Sequence, residues 1–170
     1  MSAEQEPSAI TRQLRDKAVG VHPEEHELRP TAELPNVACG IMELGFPEAI
    51  ATLVAFADGN TSLYFSNGGG IVGAGQHPTV RRAAAIFLIA AERIVDTLAP
   101  ATERPYPITG HARFYIRTYD ELLTAEVDGE ILAAGTHPLS DFFFCGHALI
   151  TAVREAADPG RASAGDATAG

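Results

Sequence analysis

Two periodicities of apolar residues divide the chain. Residues 50–57 are apolar on both alternating faces, as a central buried strand would be. The Asp58-Gly59-Asn60 turn then leads into residues 61–66, where Leu63 and Phe65 alternate with Ser62, Tyr64 and Ser66, so the pattern predicts a hairpin. Asn67-Gly68-Gly69-Gly70 interrupts, and residues 71–74 resume the strand. From Pro78 to Leu98 the spacing turns helical, with Val80, Ala84, Phe87, Ala91 and Val95 on one stripe. Strict alternation returns over 111–119, Asp120-Glu121 turns, 122–127 comes back, Asp128-Gly129 turns again, and 131–134 reads as a further strand. A last helix, 139–157, places Leu139, Phe143, Ile150 and Val153 on one face. Ahead of all this, Val37, Ile41 and Leu44 repeat at helical spacing after Pro35-Asn36, which predicts a first helix stopped by Gly45 and Pro47.

The junction Gly75-Gln76-His77-Pro78 recurs as Gly135-Thr136-His137-Pro138, an offset of 135 − 75 = 60 residues. Each copy closes a β-like stretch and opens a helix, with Pro fixing φ in the first helical turn, so the chain reads as two related halves. Residues 35–157 are expected to form one α+β domain. Residues 1–34 read as a polar arm, partly disordered and loosely attached, in which Ile10, Leu14 and Ala18 form one short helix ending before His22-Pro23. Residues 158–170 have nothing to bury and are expected to be disordered.

The 170 residues suffice for one core. A net charge of −10 repels phosphate backbones and anionic membrane surfaces, so neither nucleic acid nor membrane is an expected partner. With only Cys39 and Cys145, no secretory signal and no apolar run long enough to cross a bilayer, the reading is a cytoplasmic protein without a disulfide framework.

The predicted order α-β-β-α-β-β-β-α, with its Asp58-Gly59 hairpin and the Ala-rich helix from Pro78, resembles the roadblock family, relatives of dynein light chains, over residues 35–157. That resemblance implies an antiparallel five-stranded sheet between helices, homo- or heterodimerisation, and a regulatory scaffold, typically for Ras-like GTPases, with no catalytic centre. Profilin-like and longin-like domains share the plan.

Several residue groups compete as sites. The helix from Pro78 is apolar all round its middle, leaving Ile86, Leu88 and Ile89 to a dimer partner if Phe87 faces the sheet. Residues 68–73 match G-x-G-x-x-G formally, so Asn67, Gly68, Gly69 and Gly70, with His77 and His137, are the candidate site for a phosphate-bearing ligand. Yet no helix opens directly from these glycines, and a bulged hairpin explains them. His22-Pro23-Glu24-Glu25-His26 fits the H-x-x-E-H zinc pattern, but Pro23 breaks the helix that pattern needs, and no metal or cofactor is expected. Cys145 and His147 diverge on a helix and make no nucleophile and base pair, so no catalytic residue is assigned. An enzyme would draw its acid and base from His77, His111 or His137. Finally, His111, Arg113, Tyr115, Arg117 and Tyr119 share one strand face, a basic aromatic stripe in an acidic chain. Arg113, Tyr115 and Arg117 are therefore the expected contacts for an acidic protein surface.

Overall fold

The alternating segments form an antiparallel sheet whose strands are β1 (Val37–Gly45), β2 (Ile50–Phe56), β3 (Thr61–Phe65), β4 (Gly70–Ile71), β5 (Ala99–Pro100), β6 (His111–Thr118) and β7 (Leu122–Asp128). The helices are α1 (Ala9–Val19), α2 (Pro78–Glu92), α3 (Gly129–Ala133) and α4 (Ser140–Ala157). This computed structural model describes residues 8–158, so the expected disorder of 158–170 falls, from 159 onward, outside the described residues, as do residues 1–7 of the arm. The sheet has seven strands in the order β4-β3-β2-β1-β6-β7-β5, not five. The α+β class holds; the predicted element order does not.

Two segments account for the difference. Residues 37–44 are not a helix but the central strand β1, paired with β2 on one side and β6 on the other. Every residue of β1 is buried. With both faces covered, apolar residues occupy every phase, and a helical spacing can be picked out of a strand. Residues 131–134 are not a strand either. Asp128 Oδ1 accepts the Glu130 amide at 2.8 Å, so the Asp-Gly pair caps the short helix α3 instead of turning a hairpin. The helix from Pro78 ends at Glu92, and a 3-10 turn over Val95–Thr97 follows.

Side-chain parity along the strands separates two layers. Met42, Leu53, Leu63, Phe114 and Ile116 face α2 and α4 in the main core. There Phe142 stacks on Phe87, with ring centroids 4.5 Å apart, and tilts against Phe114 at 5.1 Å. A Cβ at Gly146 would fall 2.6 Å from the end of the Met42 side chain, so glycine there lets α4 lie this close to β1 without moving Met42.

The opposite face is covered by the arm. Ala18, Val19 and Val21 pack on Cys39, Ile41, Val54 and Leu122. The arm expected to attach loosely is anchored by α1, which the apolar spacing placed correctly and Ser8 caps by accepting the Thr11 amide.

Candidate functional site

On the arm-covered face, β1 carries Glu43 at 0 % exposure. Arg15 of α1 meets it with two hydrogen bonds, Nε to Oε1 at 2.8 Å and Nη2 to Oε2 at 3.1 Å, while Thr52 Oγ1 donates to Oε1 at 3.1 Å. Arg15 also donates to the Pro105 carbonyl, which takes the Tyr115 hydroxyl at 2.6 Å, and its guanidinium lies over the Tyr106 ring. Burial works against the Arg15 charge, but the hydrogen bond and charge of Glu43 outweigh it, and the guanidinium is held above its ordinary range. The clamp thus joins α1, β1, β2 and the linker before β6. Every strong group in it is paired, so it holds the arm and offers no open chemistry.

This clamp corrects the stripe. Its alternation is right, but the face is covered: Tyr115 is 0 % exposed, Arg113 is paired with Glu126, and Arg117 Nη2 donates to the Val19 carbonyl at 3.3 Å. Burial lowers the Arg117 pKa, and Arg104 nearby adds to the shift. Tyr115 is therefore a packing group bonded to the linker carbonyl of Pro105, while Arg113, half-buried, is held by Glu126 and Thr124 of β7 and Arg117, half-buried, by the Val19 carbonyl of α1.

The other expected sites also change. Leu88 is 2 % exposed, because α2 seats both Phe87 and Leu88 over Gly40, where a Cβ would lie 2.9 Å and 3.2 Å from their side chains. Leu88 is thus a core residue and Ile89 half-buried, leaving Ile86, 53 % exposed, as the outward member of the expected dimer face. Gly68 and Gly69, at φ 108° and 86°, turn the chain from β3 to β4, and the Gly68 amide is used inside that turn, bonded to the Phe65 carbonyl. His77 is exposed at the start of α2, and the His137 Nδ1 accepts the Leu139 amide at 3.1 Å. The His-Pro junctions serve as helix starts. Among the described residues, no group of three or more His, Cys, Asp or Glu side chains is placed to hold a metal ion, and no helix is long and apolar enough to cross a membrane.

What the sequence reading missed is an apolar cavity of about 340 Å³ where the β1–β2 turn, the loop before β6 and α4 converge. Leu44, Phe46, Pro47 and Ala112 line it together with Phe143, and His147 and His111 lie at its wall. The close approach is built by glycine: a Cβ on Gly45 would press against the Ile108 backbone, and the Gly110 amide donates to the Gly45 carbonyl at 2.8 Å. The His147 ring meets the edge of Phe143 with centroids 4.4 Å apart, and desolvation in this wall lowers its pKa from 6.5, so it is neutral at pH 7. His111 turns to the other side, its Nδ1 3.5 Å from Glu126 Oε1 and its Nε2 3.9 Å from Asp128 Oδ2.

Phe46, one of the lining residues, is 51 % exposed, and Ile108, Phe144 and Ile131 are exposed at positions one or two residues along the chain from lining residues. A concave apolar floor with exposed large side chains on the segments that form it is the pattern of a docking surface. The sequence signal was faint, because the lining comes from four segments far apart along the chain. Family models, characterised proteins and solved structures give no match to this chain.

Proposed function

We propose that this chain is a non-enzymatic regulatory or scaffolding module that works through protein docking at its apolar end. The partner it serves is, as the roadblock resemblance implies, a small Ras-like GTPase. The observation that carries the docking role is the 340 Å³ cavity with half-exposed Phe46 on its lip. Its lining offers hydrocarbon, two histidines and one threonine, a poor constellation for bond-breaking chemistry but a good seat for apolar side chains. The phosphate-ligand alternative has less support, since the Gly68 amide is bonded within its own turn and His137 Nδ1 already accepts a backbone amide.

Photo-crosslinking in the producing cell tests the reading. Benzoylphenylalanine replacing Phe46 is expected to give a protein adduct of defined mass on irradiation, whereas the same residue replacing Val72, 69 % exposed elsewhere, is expected to give none. Equal labelling at both positions, or none at either, would refute docking at this end.

A further inference from the structure

We infer that the segment the apolar end takes from its partner is basic, an apolar side chain for the cavity with lysine or arginine close to it on either side. This rests on the docking role proposed above and adds the chemistry of the occupant. The charges beside the cavity carry it. Among the immediate chain neighbours of the lining residues, the charged ones are Glu43, Glu48, Arg113, Asp128 and Glu130. Two of these are spent elsewhere, because Glu43 is buried against Arg15 and Arg113 is paired with Glu126. The rest are carboxylates. Glu48 and Glu130 are exposed, and the Asp128 side chain is 43 % exposed, with its Oδ2 3.9 Å from Nε2 of the lining His111. Neighbouring Cα atoms lie roughly 3.8 Å apart, so each charge acts on the cavity wall from within a Debye length of about 10 Å, whichever way its side chain turns. His147 is neutral at pH 7, and even a charged His111 offsets only one of the carboxylates.

Two other grooves carry both signs in their lining. Lys17 lies with Asp16 and Glu25 in the groove beside α1, and Arg81 with Glu33 and Asp58 in the groove between residues 31–34 and α2. The apolar end instead has a lining without Lys, Arg, Asp or Glu and carboxylates next to it. A partner side chain entering that seat gains by burial, cations beside it meet complementary charge, and an acidic flank is repelled.

Fluorescence anisotropy with two dye-labelled peptides on the purified full chain tests this. Both peptides carry a central Leu-Phe anchor, flanked by lysines in one and by glutamates in the other. At about 50 mM salt the lysine peptide is expected to bind about tenfold tighter, and at about 500 mM the margin is expected to narrow. Phe46→Ser should weaken the lysine peptide about tenfold, which places it at the cavity. Glu48→Lys with Glu130→Lys should abolish the preference, whereas Glu25→Lys with Glu33→Lys, an equal change of net charge at exposed positions elsewhere, should keep it. If the first pair loses its circular dichroism signature, Glu48→Lys alone should still reduce the preference about threefold. Equal affinity for the two peptides, binding of neither, or the same loss from both charge-reversed pairs overturns the inference. Self-association of the wild type that Phe46→Ser disrupts also overturns it, since the occupant is then a second copy. If the inference fails while Phe46 still crosslinks to a protein in cells, the docking role stands; if no adduct forms at Phe46, both fail.

Discussion

The two faces of the sheet are held by different physics. Beneath α2 and α4, Phe87, Phe114 and Phe142 pack ring against ring in a core of many weak, non-directional contacts. Beneath α1, a smaller apolar cluster surrounds one buried ion pair whose geometry is fixed by two hydrogen bonds. A packed face loses stability in proportion to what is removed. A clamped face is closer to all or none, since removing one partner strands the other charge, whereas removing both can be nearly neutral.

The largest effect is expected on the packed face. Phe142→Ala should cost about 4 kcal/mol by urea denaturation, through lost transfer energy and a cavity left between Phe87 and Phe114. On the clamped face, Arg15→Met alone should cost about 3 kcal/mol, because Glu43 stays buried without its cation, and Arg15→Met with Glu43→Leu should return to within about 1 kcal/mol of wild type. Additive losses in the double variant would show that the second face is simply more packing. A smaller contrast lies in the thiols. Burial raises the pKa of both Cys39 and Cys145, but Cys39 is wholly enclosed in the arm-side cluster, so a disulfide reagent should modify Cys145 first and Cys39 only on unfolding. Arg15→Met should hasten Cys39 labelling and leave Cys145 unchanged if α1 is held by the clamp.

The smallest effect concerns His147. Its folded pKa lies below 6.5, so as pH falls through 6.5 the unfolded chain binds a proton that the folded chain refuses, and stability declines until the lower folded value is passed. His147→Gln should remove that part of the slope between pH 7.5 and 5 in thermal melts, and an unchanged slope would show that the partly exposed ring is not desolvated by its contact with Phe143.

Alternation, helical stripes and turn signals placed β2, β3, β6, β7 and α4 within a few residues and the start of α2 at Pro78; β2 is buried on both faces, but the Asp58-Gly59-Asn60 turn bounding its short apolar run marked it as a strand. They misplaced β1, where burial on both faces erases the period, and α3, where Asp128 acts as a cap and not as a turn residue. Parity along β6 was legible; what lies on top of it was not, since the groups that hold Tyr115 and Arg117 come from the linker and the arm. The same limit hid the apolar end. Phe46, Ile108 and Phe144 are unremarkable one by one, and only the sheet order brings their segments together.

The Arg15 clamp also sets a timetable. Arg15 leaves the ribosome ahead of its partners: its carboxylate follows 28 residues later, and the Pro105 carbonyl 90 residues later. Through that interval α1 has no finished surface to rest on, for β6, which carries Tyr115, is made later still. Contacts so distant along the chain are entropically slow to close, so the arm face is expected to seal last. For the nascent chain, α1 is made before every surface it rests on and docks after them, and any protease or chaperone that reads exposed segments has the longest opportunity here.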